Sequence, residues 1–290
     1  MYDICCIGHI TADKITTPAG THYLPGGTAW YFCKALAKMD VRYQLLTALG
    51  NPEMKYTETL QQEGVAVTVL PSQHTVFFEN IYGADLNHRT QRVLQKARQF
   101  SQADVLQLQA SIYHLGPLLA DDMDTGMIQT LAQKGRVSAD VQGWLRRLDG
   151  TKILAADWTD KLTLLPHIHF LKVNEQELEV LTGHTNIALA AQQLLRWGVQ
   201  ELVVTLGSKG SEIYTSNDCY RVPAFLPGIA TDATGCGDTY MAGYLYRRSK
   251  NDSPADAGAF ASAMAGIKVT HAGPFTGTAA DVYKAMQQPA

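Results

Sequence analysis

The chain has 290 residues, 46% hydrophobic and 18% charged, with a formal charge of −3, which excludes a disordered, collagen-like or disulfide-stapled chain. The near-balance of 24 Lys+Arg against 27 Asp+Glu argues against a dedicated nucleic-acid binder, and the longest charge-free apolar stretch, 257–267, is too short to cross a bilayer. Five cysteines form no Cys-x-x-Cys pair, and residues 1–10 carry no secretion signal, so a reduced, cytoplasmic, soluble protein is expected.

In chain order, Ile4, Cys5, Cys6 and Ile7 read as a buried first strand over 3–8. Short β-branched segments at 11–16 and 21–24, punctuated by Pro18, Gly20 and Pro25, read as strands outside the main sheet. Helical spacing of apolar residues over 28–39 is followed by a strand at 41–49, a helix at 53–62 and a strand at 65–70. Segments 75–82 and 90–94 are β-like with more polar faces. Strands near 112–115, 136–140, 168–173 and 201–205 then alternate with helical stretches, and helices follow at about 237–248, 254–269 and 278–287. This alternation predicts a three-layer α/β/α domain over 1–290 with a mostly parallel sheet, plus a small β-sheet in two pieces, about 11–24 and 72–95.

The chemistry concentrates in Asp232-Ala233-Thr234-Gly235-Cys236-Gly237-Asp238, directly before a helix with Met241, Tyr244 and Leu245 as its apolar stripe. Two glycines admit a close ligand, and unpaired amides at a helix start favour an anion. A carboxylate among those amides suits phosphoryl transfer, because Asp238 can accept the proton an alcohol loses. The plainer reading makes Asp232, Thr234 or Asp238 an N-cap. Thr205-Leu206-Gly207-Ser208-Lys209-Gly210 follows a strand and reads either as a nucleotide-contacting loop or as a turn. Asn174 with Glu177 three residues on is a capping arrangement, and their oxygens also suit Mg²⁺ held through water.

These three segments, in this order, resemble the ribokinase-like (PfkB) carbohydrate kinase family over nearly the whole chain. The stretch 232–238 resembles the C-terminal signature, with Cys236 where alanine is commoner. Asn174 and Glu177 match the Asn-x-x-Glu magnesium motif. Thr205, Gly207 and Gly210 match the nucleotide loop, and Asp13 with Gly26-Gly27 matches the substrate aspartate and glycine turn. The resemblance implies ATP and Mg²⁺ as cofactors, Asp238 as general base and the amides of Gly235, Cys236 and Gly237 as an anion hole. It implies adenine near 262–273 and a β-sheet lid, whose aromatic residues are expected to pack on a partner subunit, as in a homodimer through the lid, or on the domain itself. A monovalent cation such as K⁺ would lie beside the signature, at Asp232 and the Thr234 carbonyl.

The family's first signature usually continues Gly-Gly-x-x-x-Asn; here Tyr31 replaces that sugar-contacting Asn, which weakens a ribose or fructose assignment. Residues 140–146, Asp-Val-Gln-Gly-Trp-Leu-Arg, resemble a run of the inositol-kinase-like branch. If that run is helical, Gln142 and Arg146 share one face, placing Gln142 on a polyol hydroxyl and Arg146 near a phosphate. Alternation puts Phe78, Asn80 and Tyr82 on one lid face and Phe77, Glu79 and Ile81 on the other. Lys14, Arg89 and Arg92 are the only cations near the lid, so an uncharged small-molecule acceptor is favoured. The reading is therefore ATP-dependent phosphorylation of a small uncharged sugar or polyol, inositol-like first. A nucleoside kinase of the same fold and a non-catalytic ligand sensor are the alternatives. Cys236 as a thiol nucleophile is set aside, since no His or Asn is placed to support it.

Overall fold

The computed structural model describes residues 1–18, 20–82 and 89–287; the side chains of Tyr82 and Arg89 lie outside the described residues. The chain begins in the main sheet with β1 (Tyr2–Gly8) and leaves it at once for β2 (Thr11–Thr17) and β3 (Gly20–Gly26). It returns through α1 (Thr28–Leu36), β4 (Tyr43–Leu49), α2 (Met54–Gln62) and β5 (Ala66–Pro71), then departs again for β6 (Val76–Tyr82) and β7 (Arg89–Gln95). Next come β8 (Ala110–Gly116), α3 (Thr125–Ala132), β9 (Arg136–Asp140) and a hairpin of β10 (Arg146–Asp149) and β11 (Lys152–Ala155). Then follow α4 (Lys161–Leu164), β12 (Phe170–Asn174), α5 (Glu175–Thr182), α6 (Ile187–Arg196) and β13 (Glu201–Thr205). The last elements are β14 (Ser211–Thr215), β15 (Cys219–Val222), α7 (Cys236–Ser249), α8 (Pro254–Val269) and α9 (Ala279–Met286).

Among the described residues, nine strands form one sheet in the order β15-β14-β13-β12-β9-β8-β1-β4-β5. Seven of them, β5 through β13 in that order, run parallel, and β14 and β15 are antiparallel additions at one edge. Parallel strands buried on both faces must be apolar throughout, which is why β1 carries Ile4, Cys5, Cys6 and Ile7 with no exposed side. One face packs on α1, α2, α7, α8 and α9 through a core that includes Phe32, Leu45, Tyr244 and Phe260. The other packs on α3, α4, α5 and α6 through Tyr113, Met127, Leu171 and Leu194. Each of these fully buried side chains contributes about 1.5–3 kcal/mol relative to exposure. The expected three-layer α/β/α architecture is therefore the one observed.

Among the described residues the second sheet has six strands, β10-β11-β7-β6-β2-β3, and exceeds the two pieces expected by the β10–β11 hairpin. That hairpin was illegible because Arg146-Arg147-Leu148-Asp149 is short and polar, with no alternation to mark it. Its inner side holds Val76, Phe78 and Val93 against Leu118 and Leu119 of the loop after β8, and buries Asn80 beside them. Asn80 accepts a hydrogen bond from Gln91 Nε2 at 2.9 Å across the β6–β7 pair.

Helix α7 is fixed at its far end. Arg248 pairs with the buried carboxylate of Glu201 at 2.9 Å, and the Tyr244 hydroxyl donates to the same group. No helix among the described residues is long and apolar enough to cross a membrane.

Candidate active site

The carboxyl ends of the parallel strands, where open α/β sheets bind ligands, gather charge. Strand β12 carries Lys172 inside an otherwise apolar run, and its ammonium meets the Asp140 carboxylate at the end of β9 at 2.8 Å, both groups buried. Burial alone would lower the lysine's proton affinity. The charges of Asp140, Glu177 and Asp238 outweigh it and hold Lys172 protonated, above its ordinary range. A Cβ built on Gly237 would come 3.3 Å from Lys172 Nζ, so the ammonium lies directly against the start of α7.

That helix start has Gly235 as its N-cap at φ 73°, a left-handed conformation, and no side chain caps it. Asp232 instead accepts from the Thr234 amide at 2.9 Å, one turn earlier, so the N-cap readings of Asp232, Thr234 and Asp238 do not hold. The expected trio of anion-hole amides is also reduced. The Cys236 amide donates to the Ala233 carbonyl at 3.1 Å to close the turn, leaving those of Gly235 and Gly237 without a protein acceptor among the described residues. The Cys236 thiol is pushed up to about 11, first by burial and then by neighbouring carboxylates against the opposing Lys268, so it is no thiolate.

Asp238, in the first turn of α7, has its carboxyl pushed up to about 6. Burial is the main cause and the Asp140 charge adds to it, while Lys172 and the Thr28 hydroxyl oppose. A carboxylate with that proton affinity is ionised at neutral pH yet basic enough to take a proton from a hydroxyl in the transition state. Glu177 is likewise raised, by burial first and then by Asp140 against Lys172.

The residues expected to hold the acceptor come from β2, its partner β3 and the start of α1. Asp13, on β2, accepts from the Thr11 hydroxyl at 2.6 Å, and a Cβ on Gly26 would land on its carboxylate, so a side chain there would push Asp13 out of this position. Gly27 caps α1. Tyr31, one turn into α1, lays its ring on Gly235 and fills the space a side chain there would need. Its hydroxyl has no hydrogen-bond partner among the described residues, and burial together with Asp232, Asp13 and Asp238 keeps the phenol protonated.

Gln142 and Arg146 do not share a helical face. Residues Val141–Leu145 form a single 3-10 turn, and Arg146 is already extended at the start of β10, because Trp144 turns inward to stack on Trp158 at 4.4 Å. Gln142 Nε2 reaches Glu177 at 3.5 Å, so it braces that carboxylate, and Arg146 also favours Glu177's charged form.

Asn174 and Glu177 form a reciprocal capping box at 2.8 Å each way, and Asn174 lies beside Thr205 in register. Gly207 opens the turn after β13 with open space around it, whereas Gly210 is packed against the chain from Val222 to Ala224 and serves the hairpin. Among the described residues no group of three or more His, Cys, Asp or Glu side chains could hold a metal directly. Glu177 is the carboxylate that would face such an ion, and both of its oxygens are already engaged by protein donors, Oε2 by the Asn174 amide and Oε1 by Gln142.

Asp232, expected to face a monovalent cation, is instead met by the buried ammonium of Lys268. Four residues at the site were not singled out from sequence: Asp140, Lys172, Lys268 and Thr28. The signal for the lysines was their isolation, Lys172 among Phe170, Leu171 and Val173, and Lys268 at the end of the charge-free run 257–267. A lone charge in an apolar segment needs a buried partner.

A buried carboxyl of raised proton affinity, an ammonium and amides without a protein acceptor at a helix start, above a mostly parallel sheet, are an arrangement suited to phosphoryl transfer. A profile described as pfkB family carbohydrate kinase matches residues 1–280, and the chain belongs to that family. Cytidine kinase of Thermococcus kodakarensis is 25% identical over 260 residues, covering 84% of this chain and 88% of its own. Nucleoside kinase of Methanocaldococcus jannaschii is 39% identical over 84 residues, 29% of this chain and 27% of its own. A pyrophosphate-dependent kinase of the ribokinase family, solved with sulfate, superposes with TM-score 0.86 at 25% identity, covering 97% of this chain and 99% of that one. Such a kinase with a pyrophosphate analogue and myo-inositol gives 0.84 at 25% identity, covering 94% and 97%.

Proposed function

We propose that this kinase transfers the γ-phosphoryl group of ATP to a hydroxyl of a small uncharged polyol, with a cyclitol such as myo-inositol as the favoured acceptor. The observation that carries the transfer step is Asp238, a carboxylate with proton affinity raised to about 6, in the same helix turn as the free Gly237 amide and against Lys172. Asp238 takes the acceptor's proton as its oxygen attacks. The Gly235 and Gly237 amides, with Lys172, stabilise the charge spread over the phosphoryl oxygens. Mg²⁺, on the outer side of Glu177, supplies further neutralisation of the donor phosphates when bound. Asp13 and the Tyr31 hydroxyl hold other acceptor hydroxyls, and the second sheet closes over them as a lid to exclude water.

An uncharged acceptor is supported by the charge around it. Lys14 pairs with Glu79 at 3.0 Å, Arg92 lies 3.9 Å from the same carboxylate, and Asp13 and Asp238 repel an anion. ATP as donor is supported by Leu226 and Ile229, 52% and 89% exposed on the loop before α7, which offer apolar surface to a base. Pyrophosphate as donor is the second reading, favoured by the two similar solved kinases. Cytidine as acceptor is the rival suggested by the similar cytidine kinase.

One matrix of assays tests these readings: ATP or pyrophosphate against myo-inositol, D-ribose and cytidine, with product followed by phosphorus NMR. The expected result is highest kcat/KM for ATP with myo-inositol. Cytidine ahead of both other acceptors overturns the polyol assignment, and turnover with pyrophosphate alone overturns the ATP assignment. Ligand-induced thermal stabilisation with no phosphorylated product from any pair would mark a sensor instead.

A further inference from the structure

The loop from Asp232 to Gly235 aims the free amides of the transfer site, and it is held by a lysine from the neighbouring helix. Lys268 is 2% exposed; its Nζ lies 2.6 Å from the Asp232 carbonyl oxygen and 3.0 Å from Asp232 Oδ2. The other carboxylate oxygen, Oδ1, accepts from the Thr234 amide at 2.9 Å, and Oδ2 also accepts from the Gly273 amide at 3.2 Å. Backbone bonds from Thr231 and Asp232 to the Val269 carbonyl, at 2.7 and 3.1 Å, sew the same loop to the end of α8. Every oxygen of Asp232 is thus engaged, and two of the three bind one ammonium. A monovalent metal ion at this carboxylate and carbonyl would have to displace a positive charge that the chain itself carries into the interior. The residues present do not fit a K⁺ site at Asp232.

We propose that Lys268 is a built-in cation that replaces a monovalent metal ion, a positioning residue that holds the 232–235 loop and so the amides of Gly235 and Gly237. Its ammonium gives the loop carbonyl and carboxylate the charge that a dissociable ion would give, without dependence on that ion's concentration. The consequence for turnover rests on the kinase reading above; the consequence for loop stability does not.

The test begins with the wild-type protein, whose initial rates are measured at one ionic strength in potassium, sodium or choline chloride. Rates within about twofold of one another are expected, since only general screening differs little among the salts. Activation of about tenfold or more by K⁺ over choline would overturn the proposal. In Lys268→Ala the carboxylate and carbonyl lose their cation. Its kcat falls about a hundredfold in choline, and K⁺ restores about a tenfold part of that loss. Without any substrate, K⁺ should raise the melting temperature of Lys268→Ala relative to choline and leave that of the wild type unmoved, so a failed kinase reading leaves this arm intact. A folded Lys268→Ala with full turnover, or one indifferent to K⁺ in both rate and melting, overturns the assignment. Should that variant not fold, Asp232→Asn keeps the carbonyl contact to Lys268 and carries the test. Its kcat falls about tenfold without K⁺ dependence, and an unchanged kcat counts against the positioning role.

Discussion

Two buried lysines stand near the same helix start, and their surroundings differ in one respect. Around Lys172 three carboxylates, Asp140, Glu177 and Asp238, share a single ammonium, so negative charge is in excess. Around Lys268 one carboxylate and one carbonyl are matched by one ammonium, and Asp232 is held below its ordinary range, backbone and lysine bonds outweighing burial. In the unbalanced group the surplus carboxylates add to burial in raising the proton affinity of Asp238; the balanced one fastens a loop. Excess charge marks where chemistry happens, and matched charge marks where the frame is pinned.

The comparison breaks most visibly at Asp238. Asp238→Asn should lower kcat about a thousandfold while leaving donor binding measurable by calorimetry. The same variant should melt higher than wild type in alkaline buffer, because the ionised carboxylate is disfavoured where it sits. The folded carboxyl binds its proton up to about 6 while the unfolded one releases it near 3.8. The folded state therefore holds more protons between those values, and the stability Asp238 lends at low pH is lost as pH rises through about 6. The variant's advantage should open over that window and reach about 3 °C by pH 8. A variant that turns over normally, or melts lower at every pH, removes Asp238 from its role.

Lys172→Met sharpens the contrast from the other partner. It should cost about a hundredfold in kcat and about 3 kcal/mol of stability in denaturant titration, since Asp140 is left buried and unpaired. It should also move the acid limb of the kcat/KM profile to higher pH, because the opposing charge beside Asp238 is gone. A loss of stability with an unmoved pH profile would make Lys172 a purely structural group. The smallest effect belongs to Tyr31→Phe, which keeps the ring on Gly235 and deletes only the hydroxyl. The acceptor KM should rise about tenfold with kcat and donor KM little changed, and an unaltered acceptor KM would show that the phenol touches no acceptor.

The main sheet was legible because β1, β4, β12 and β13 are mostly apolar segments of strand length, alternating with segments of helical spacing. The β10–β11 hairpin was not, since Arg146 and Arg147 give a strand no apolar signature. At the site, Asp238, Asn174, Glu177 and Asp13 lie within local motifs whose spacing survives in sequence. Lys172 and Lys268 act through partners 32 and 36 residues away, and such a pairing exists only once the strand or helix has docked.

Helix α7 has 14 residues, a rod of about 21 Å that starts at the transfer site and ends in the Arg248–Glu201–Tyr244 clamp. Mechanically it is the fixed jaw of a vice, bolted to the sheet at its far end and by the Lys268 loop at its near end. Any narrowing of the gap between Asp13 and Asp238 must then come from the jaw that carries Asp13.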